Sequence, residues 1–500
     1  MLASGLITTR IGSGGFAIHP DSREVASWIQ NLTRRQDGSW VPRFGMRLIR
    51  AFPQRIAMLH ATHQGTSNKH VIYALAQNSL LYSGAVTEIG TAVGTSMVAS
   101  IPLANWNSET KNAASAIGTS VNPTATESRL LFSFPGFGVA PQQVYDQTGG
   151  KVQFVGATDI KGVPWSHGNN PAVLQKRTVV WSDFADAYTW PVANFTHLPP
   201  EIGEGVAVAY WQEEVSFIFG TTGVASVQGT PLIDAKWTVL TAPPAAGPVS
   251  TCVARCRDRI AYMAPGPSIY LLGGGLQRID GPIQPILSGY GDATQFTMSY
   301  DPLIDCLCLS PIVDQALYPG RLNDTFLFNV SEGRWIGSYR NANGLKGIQR
   351  TINAGPQTDS LTVPRNRPPF GLQLVACEEL LCRYDDQLFA DHDATGTAVA
   401  FQCALETAPE GADPETAHLD KKLLDVYVDG TGRWDCIVKV RDGSGETFTS
   451  VFVGSVDAPG WIHASTDIRS YRERIVRLEA SSASNLRLRG VGIRERAVGG

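Results

Sequence analysis

Three kinds of cluster in this sequence combine residue types that can bind metal ions. His60 and His63 are spaced as His-x-x-His, Asp391-His392-Asp393 holds an imidazole between two carboxylates, and the stretches 429–432 and 442–445 resemble calcium loops. A zinc site needs further ligands at fixed offsets, and a calcium loop needs regularly spaced Asp and a terminal Glu. The sequence lacks these partners. We therefore interpret the clusters as a strand or loop, a solvated loop and hairpin turns, and predict no metal ion and no cofactor.

Motifs for covalent or nucleotide-dependent catalysis are also missing from the sequence. It has no GxSxG, no P-loop and no GxGxxG after a strand. Gly273-Gly274-Gly275 lies between two strand-like segments and is interpreted as a hairpin. Ser182-Asp183 with Thr189-Trp190 resembles the Asp box of sialidase-like propellers but departs from it at two positions. We predict no catalytic residues and no enzymatic activity.

The composition indicates a large folded protein whose surface is partly covered. Hydrophobic residues make up 43% and charged residues 17% of the 500-residue chain, whereas about 25% charged is usual. Low charge density favours coverage by other subunits. The net charge of −4 argues against a general nucleic-acid-binding surface.

The eight cysteines contain no CxxC pair, so a zinc ribbon or redox motif is not expected. We interpret most of them as small buried hydrophobes. The first residues lack the charged and apolar regions of a signal peptide, and no run approaches the roughly 20 apolar residues of a membrane span. We expect synthesis and folding in a reducing cytoplasm.

Short strands recur along most of the chain. Residues 177–228 read as four strands separated by turns, which is the pattern of one β-propeller blade or one meander of a sandwich. Similar units recur every 35 to 65 residues or so, without a strict repeat. We predict an all-β protein: a propeller body of about six to eight irregular blades with a small C-terminal antiparallel β-sandwich. A β-sandwich arrangement throughout is the alternative.

Aromatic residues within these strands are predicted to be buried between blades. They are Trp181, Trp190, Phe217, Phe219, Tyr262, Phe326, Phe328 and Trp335.

The predicted domains are an N-terminal arm (1–52), the propeller body (53–395) and the sandwich (396–500). Up to Arg55 the chain holds eight Arg and three acidic residues, a local excess of +5. We interpret this excess as a docking segment, with a solvated arm as the alternative, and expect removal of residues 1–50 to leave the body folded but block assembly. The docking residues are Arg34, Arg35, Arg43, Arg47 and Arg50.

Segments spread along the chain resemble the tail-nozzle, or tail-hub, proteins of short-tailed phages. In the leader these segments are 14–16, 28–31 and 37–45. Further on they are 180–183 with Thr189-Trp190, 300–302 with 328–335, and the closing strands 474–478 and 486–493.

The resemblance implies a β-propeller subunit of a hexameric tube that retains the packaged genome and conducts DNA out during ejection. It implies as partners other copies of the chain, portal and adaptor proteins, and tail fibres or spikes. Double-stranded DNA would pass without tight binding. The location would be the virion tail. The alternative function is a glycan-cleaving tail depolymerase, and a cellular propeller scaffold is a further one.

Overall fold

The structure is a computed structural model of the chain. It describes residues 6–9, 26–53, 56–64, 69–76, 81–84, 91–92, 106–111, 114–120, 129–134, 142–143, 156–160, 163–168, 178–181, 191, 193–212, 215–228, 236–246, 253–290, 296–311, 324–342, 350–353, 373–385, 387–409, 420–441, 447–464 and 471–498.

The described residues confirm the all-β prediction. Helices among them are limited to two 3-10 turns (Pro200–Ile202 and Gly281–Ile283) and one short α-helix, α1 (Gln284–Ser288). The strands are β1 (Leu6–Thr9), β2 (Trp28–Gln30), β3 (Leu32–Arg34), β4 (Trp40–Pro42), β5 (Gly45–Ala51), β6 (Ile56–Gln64), β7 (Lys69–Ala76), β8 (Leu81–Gly84), β9 (Thr91–Ala92), β10 (Trp106–Lys111), β11 (Ala114–Ser120), β12 (Arg129–Phe134), β13 (Gln142–Gln143), β14 (Gly156–Ile160), β15 (Val163–Gly168), β16 (Thr178–Trp181), β17 (Phe195–His197), β18 (Gly205–Gln212), β19 (Val215–Gly220), β20 (Val224–Gln228), β21 (Lys236–Leu240), β22 (Val253–Cys256), β23 (Arg259–Ala264), β24 (Ser268–Leu272), β25 (Leu276–Arg278), β26 (Phe296–Asp301), β27 (Cys306–Pro311), β28 (Thr325–Asn329), β29 (Arg334–Tyr339), β30 (Arg350–Asn353), β31 (Gln373–Cys377), β32 (Leu380–Asp385), β33 (Asp391–His392), β34 (Ala398–Val399), β35 (Gln402–Glu406), β36 (Asp420–Arg441), β37 (Thr449–His463), β38 (Glu473–Ser481) and β39 (Arg487–Val498).

The chain divides into two compact units. Unit 1 contains Met1–Arg47, Asp324–Leu345 and Asp385–Gly500, and unit 2 contains Leu48–Asn323 and Lys346–Tyr384. This division differs from the predicted boundaries at 52 and 395. The leader strands β2 to β4 and the hairpin β28–β29 group with the C-terminal strands, because strand pairing joins segments that are far apart in sequence.

Unit 2 is built from short antiparallel meanders. Within its described residues, five four-stranded sheets follow one another, each in sequence order: β6–β9, β10–β13, β14–β17, β18–β21 and β22–β25. Strands β26 and β27 form an antiparallel pair, and another four-stranded sheet has the order β30, β31, β32, β5. Residues 177–228, predicted to form one blade, include the last two strands of the sheet β14–β17 and the first three strands of the sheet β18–β21.

The first strands of these groups contact one another in a closed cycle. Strand β6 contacts β10, and the contacts continue through β14, β18, β22, β26 and β30 back to β6. The last sheet takes its final strand, β5, from the start of the unit. There the N–H groups of Phe52 and Ile56 donate to the carbonyls of Glu379 and Glu378, each at 2.8 Å. The beginning and the end of unit 2 are therefore hydrogen-bonded together.

Aromatic side chains fill the space between the sheets β18–β21 and β22–β25. The Phe219 and Tyr262 rings lie 4.9 Å apart, and both side chains are fully buried in one apolar cluster that also includes Phe217. Three further predicted core residues, Phe326, Phe328 and Trp335, are buried in unit 1. The side chains of Trp181 and Trp190 lie outside the described residues.

Unit 2 also buries a carboxyl group, that of Asp301 at the end of β26. Its Oδ1 accepts the Leu303 N–H at 2.9 Å, while its Oδ2 has no hydrogen-bond partner of normal geometry. Burial raises the pKa of Asp301 to about 6, although Leu303, Tyr384 and Ile304 act to lower it. The protonated form is therefore favoured by folding.

We expect Asp301→Asn to stabilise the protein at pH 8 and to have little effect at pH 4. Because the folded pKa lies above the ordinary value of 3.8, the contribution of Asp301 to stability is complete below pH 4 and is lost as the pH rises through 6. A shift of about two units corresponds to at most about 3 kcal/mol. Urea unfolding between pH 4 and 8 measures the difference.

The control for this experiment is Asp457→Asn, at an exposed position of β37. It should change stability by less than about 0.5 kcal/mol at each pH. A stability difference between Asp301→Asn and the parent that does not depend on pH would show that Asp301 is charged in the folded state.

Unit 1 is dominated by one sheet of long strands. Its described order is β29, β2, β35, β38, β36, β39, β4, β3, with β28 beside β29, β1 beside β39 and β37 beside β36.

Strand β36 runs for 22 residues through Asp429–Gly432, so the hairpin turn predicted there is wrong. Gly430 allows close approach of the chain, since a Cβ there would lie 2.1 Å from the Arg487 carbonyl oxygen. Gly432, with φ of +84°, allows a bulge in place of a turn. The stretch 442–445 lies outside the described residues.

Candidate assembly surface

No metal centre is found in the described part of the chain, where no group of three or more His, Cys, Asp or Glu residues could hold an ion. The side chains of His60 and His63 are not described.

Seven cysteines are free and buried. Burial raises the pKa of Cys256, Cys403 and Cys436 to about 12. These three thiols are therefore protonated at neutral pH. None of the described helices is long and apolar enough to cross a membrane.

Unit 1 contains a buried ionic centre around Arg43. Its guanidinium pairs with both carboxylate oxygens of Asp391, at 2.9 and 2.5 Å, and its Nε–H donates to Asn31 Oδ1 at 3.0 Å. The Phe401 ring centre lies 4.0 Å away. The Arg43 side chain has no exposed surface, so its predicted docking role is wrong. The solvated loop predicted for Asp391 is wrong, because Asp391 is the buried partner of Arg43.

The other predicted docking residues have different surroundings. Arg34 and Arg35 are exposed at the end of β3, and Arg50 is exposed with its guanidinium 5.8 Å from the Phe52 ring centre. Arg47 is partly exposed and pairs with Asp385 at 2.5 Å. The basic leader therefore presents Arg34, Arg35 and Arg50, rather than all five arginines, to solvent.

The leader is also an integral part of both units. Strand β2 lies between β29 and β35 in unit 1, and β5 completes the last sheet of unit 2. Removing residues 1–50 would delete both strands together with Arg43. The strand order argues against the expectation that this truncation leaves the body folded. The sequence did not indicate this, because short leader strands give no local sign of their distant partners.

The described part of unit 1 includes a long ribbon formed by β36 and β37, whose outer strand is largely exposed. One side of β36 pairs with β39 and then with β38, and its other side pairs with β37 over most of its length. Among the described strands, β37 has no partner except β36. Its 15 residues are exposed or half-buried except for Ile462, which is buried. A long edge strand with unpaired main-chain groups is a template for pairing with another chain.

Two large apolar side chains of β37 face solvent, Phe452 at 60% and Trp461 at 42% exposure. Gly454, Pro459 and Gly460 interrupt the apolar pattern of this segment, so the sequence alone does not indicate the full length of β37. The signal for a strand here is the β-branched and aromatic run Val451-Phe452-Val453. Exposed aromatic residues on an edge strand are typical of protein interfaces.

Trp461 belongs to a group of aromatic and charged residues on the ribbon. The rings of Trp461 and Tyr427 lie 4.9 Å apart, and the Arg494 guanidinium lies 5.4 Å from the Trp461 ring centre. Asp425 contacts His463 Nδ1 and accepts from Arg494 Nε at 2.6 Å. Burial acts to raise the pKa of Asp425, but these two partners hold it below its ordinary value. The charged members of this group are therefore paired with one another beside the two aromatic rings.

A second set of charges lies farther along the sheet, where β35, β36 and β38 run side by side. Glu406 accepts from Lys439 at 2.6 Å and from Arg477 at 2.5 Å, and Arg477 also contacts Glu479. Burial acts to lower the pKa of Arg477, but its two carboxylate partners raise it above its ordinary value. Since both cations face carboxylates, this region offers little uncompensated positive charge to a phosphate backbone.

Comparisons with known proteins identify no family for this chain. No family model matches, and no curated protein matches. Among solved structures, BBS1N in complex with ARL6DN is similar at 6% identity and a TM-score of 0.41, covering 68% of this chain and 96% of that one. The extracellular domain of BT4673 from B. thetaiotaomicron is similar at 8% identity and a TM-score of 0.43, covering 94% of this chain and 63% of that one. A catalytically inactive virginiamycin B lyase from Staphylococcus aureus is similar at 11% identity and a TM-score of 0.41, covering 68% of this chain and 98% of that one.

Proposed function

We propose that this protein is a ring-forming structural subunit of a short-tailed phage tail, of the nozzle or hub type, which retains the packaged genome and conducts DNA during ejection. Unit 2 is its β-propeller. The cycle of contacts from β6 through β30 back to β6 supports seven blades, with β5 closing the last one. The C-terminal strands β35 to β39 belong to the proposed sandwich, together with the leader strands.

The observation that carries the assembly proposal is the edge strand β37. A propeller gives a rigid wall and leaves only short, protected sheet edges, so a long edge for subunit contacts comes from an element outside it. The ribbon provides such an element, with a 15-residue edge and the exposed side chains of Phe452 and Trp461. Neighbouring copies in a closed ring would cover both side chains. A hexamer is the ring size implied by the resemblance to nozzle proteins.

The charge distribution supports passage of DNA without tight binding. The net charge is −4, and the segment to Arg55 contributes +5, which leaves −9 on the rest of the chain. Several described arginines outside the leader pair with carboxylates, including Arg340 with Asp324 at 2.6 Å and Arg278 with Asp280 at 2.8 Å. Each free arginine at a phosphate would add affinity through counterion release. An acidic or neutral lumen would let the genome move.

Imaging and DNA binding of the purified protein test this function together. We expect negative-stain images to show rings with a central hole wide enough for hydrated B-DNA. Duplex DNA should bind weakly at physiological salt, and log K should fall with log salt at a slope shallower than about −2, because few phosphates are contacted.

Two results would overturn the proposal. Tight binding with a steep salt dependence would contradict a passive channel. A monomer that cleaves a capsular or cell-wall glycan, through two carboxylates about 5–10 Å apart, would replace the nozzle with the depolymerase.

A further inference from the structure

We propose that pH controls ring formation through His463, and that acid weakens the contact between neighbouring copies. This inference rests on the proposed ring, in which a neighbour covers Trp461, and it names the regulation of that contact. His463 lies two residues beyond Trp461 on β37, and its side chain is 81% exposed. It therefore faces solvent in the monomer, and a neighbour that covers Trp461 would enclose it as well.

His463 stands at one end of a row of three polar side chains that crosses three strands. Asp425 of β36 is opposite His463 of β37 on one side and opposite Arg494 of β39 on the other. Opposite residues of antiparallel strands project from the same face of a sheet. One carboxylate oxygen of Asp425 contacts His463 Nδ1, and the other accepts from Arg494 Nε at 2.6 Å. A single carboxylate thus serves two basic side chains.

The aromatic rings form the adjacent row on this face. Trp461 is opposite Tyr427, and their ring centres lie 4.9 Å apart. The Arg494 guanidinium lies 5.4 Å from the Trp461 ring centre. Because Arg494 contacts both Asp425 and Trp461, the charged row adjoins the side chain that a neighbouring copy would cover.

The net charge of the row depends on His463 alone within the range where histidine titrates. Histidine changes its charge between pH 5 and 8, whereas the arginine guanidinium stays protonated. With neutral His463, the row holds the cation of Arg494 and the anion of Asp425 and has no net charge. With protonated His463, it holds two cations and one anion.

The surrounding strands do not supply a second counterion. Farther along β36 and β39, Lys422 is opposite Arg496, and both are basic. Two further carboxylates of these strands already have basic partners, Asp429 with Arg489 and Glu495 with Arg474. Strand β1, on the other side of β39, contains no charged residue. A proton added to the histidine therefore leaves one positive charge in the row uncompensated.

Enclosure by a neighbour favours the uncharged row. Removing a charge from water costs free energy unless a counterion pairs with it. Asp425 neutralises only one of the two cations, so an enclosed row with protonated His463 would keep an unpaired charge. The ring then binds fewer protons than the separated copies, and by linkage acid favours the separated copies.

Ring formation of the full chain at two pH values tests the inference. A contact that admits only the neutral form of a histidine should lose about tenfold in its association constant between pH 7.5 and pH 5.5. Sedimentation velocity measures the ring fraction at each pH. Far-UV circular dichroism at both values checks that the chain stays folded.

Two substitutions fix the charge at this position. His463→Gln cannot titrate, so its ring fraction should be the same at pH 7.5 and pH 5.5. His463→Lys is charged at both values, so its ring fraction should be low at both. The matched control is His392→Gln, at a half-buried position of β33 in the same unit. It should keep the pH dependence of the parent.

The outcomes separate this inference from the function on which it rests. Rings whose fraction stays constant or increases between pH 7.5 and pH 5.5 would overturn the regulation and leave the proposed nozzle intact. The same loss of rings in His463→Gln as in the parent would assign the proton to another group and would also overturn it. A protein that forms no rings at either pH would overturn both proposals.

Discussion

Asp391→Ala is expected to destabilise unit 1 by about 3–5 kcal/mol, because it leaves a buried guanidinium without its counterion. The Arg43 side chain has no exposed surface and Asp391 is 4% exposed. Asp391 also accepts the main-chain N–H groups of Met46, at 3.2 Å, and Ala342, at 3.0 Å. The substitution therefore removes one charge of a buried pair and the acceptor for three donors, the Arg43 guanidinium and two main-chain N–H groups. Urea denaturation followed by circular dichroism measures the loss.

Two controls show whether burial of the charge is the cause. Arg47→Ala removes a partly exposed ion pair with Asp385 and should cost less than about 1 kcal/mol. The double variant Arg43→Met/Asp391→Leu removes both charges and should be more stable than Asp391→Ala, since no unpaired charge remains. If Asp391→Ala and Arg47→Ala cost the same, the centre contributes no more than a surface pair.

This ionic centre also shows where prediction from sequence ends. The basic leader predicts Arg43 to be one of several surface cations, whereas its carboxylate partner lies 348 residues away in the sequence. Charge density along a sequence is a local quantity, whereas burial depends on which distant strands come together. The same limit explains the docking assignment of Arg47, whose partner Asp385 is 338 residues away.

Local strand and turn chemistry was predictable. The sequence pattern places strands at 260–263 and 269–272 with a Pro-Gly turn between them, and the structure has β23 and β24 there, with Gly266 at φ +76°. Which strands share a sheet was less predictable. A run of similar antiparallel strands gives no local sign of where one sheet ends. The prediction for residues 177–228 therefore grouped strands from the end of the sheet β14–β17 with strands of the sheet β18–β21.

The full length of β37 escaped prediction for a related reason. Strand β37 contains Gly454, Pro459 and Gly460, which normally interrupt strands, yet its pairing with β36 continues through a bulge at Cys436 and Ile437. Pairing to a 22-residue neighbour overrides the local preference. An edge strand also tolerates proline, because one side of its main chain has no partner.

Phe219→Ala is expected to cost about 3–5 kcal/mol, because the side chain is completely buried between two sheets of unit 2. Its ring packs 4.9 Å from that of Tyr262, which in turn lies 5.6 Å from Tyr270. Removing the ring leaves a cavity between two sheets. The hydrogen-bonded backbone of each sheet keeps its position, so the sheets cannot move together to close the cavity.

The matched control is Phe452→Ala, the same substitution at a position that is 60% exposed, which should change monomer stability by less than about 0.5 kcal/mol. Denaturant unfolding of the monomer measures both, and ring formation provides the second readout: Phe452→Ala should weaken assembly while leaving stability unchanged. Equal losses of stability would mean that the contacts between the sheets contribute little, and normal assembly of Phe452→Ala would remove that side chain from the proposed interface.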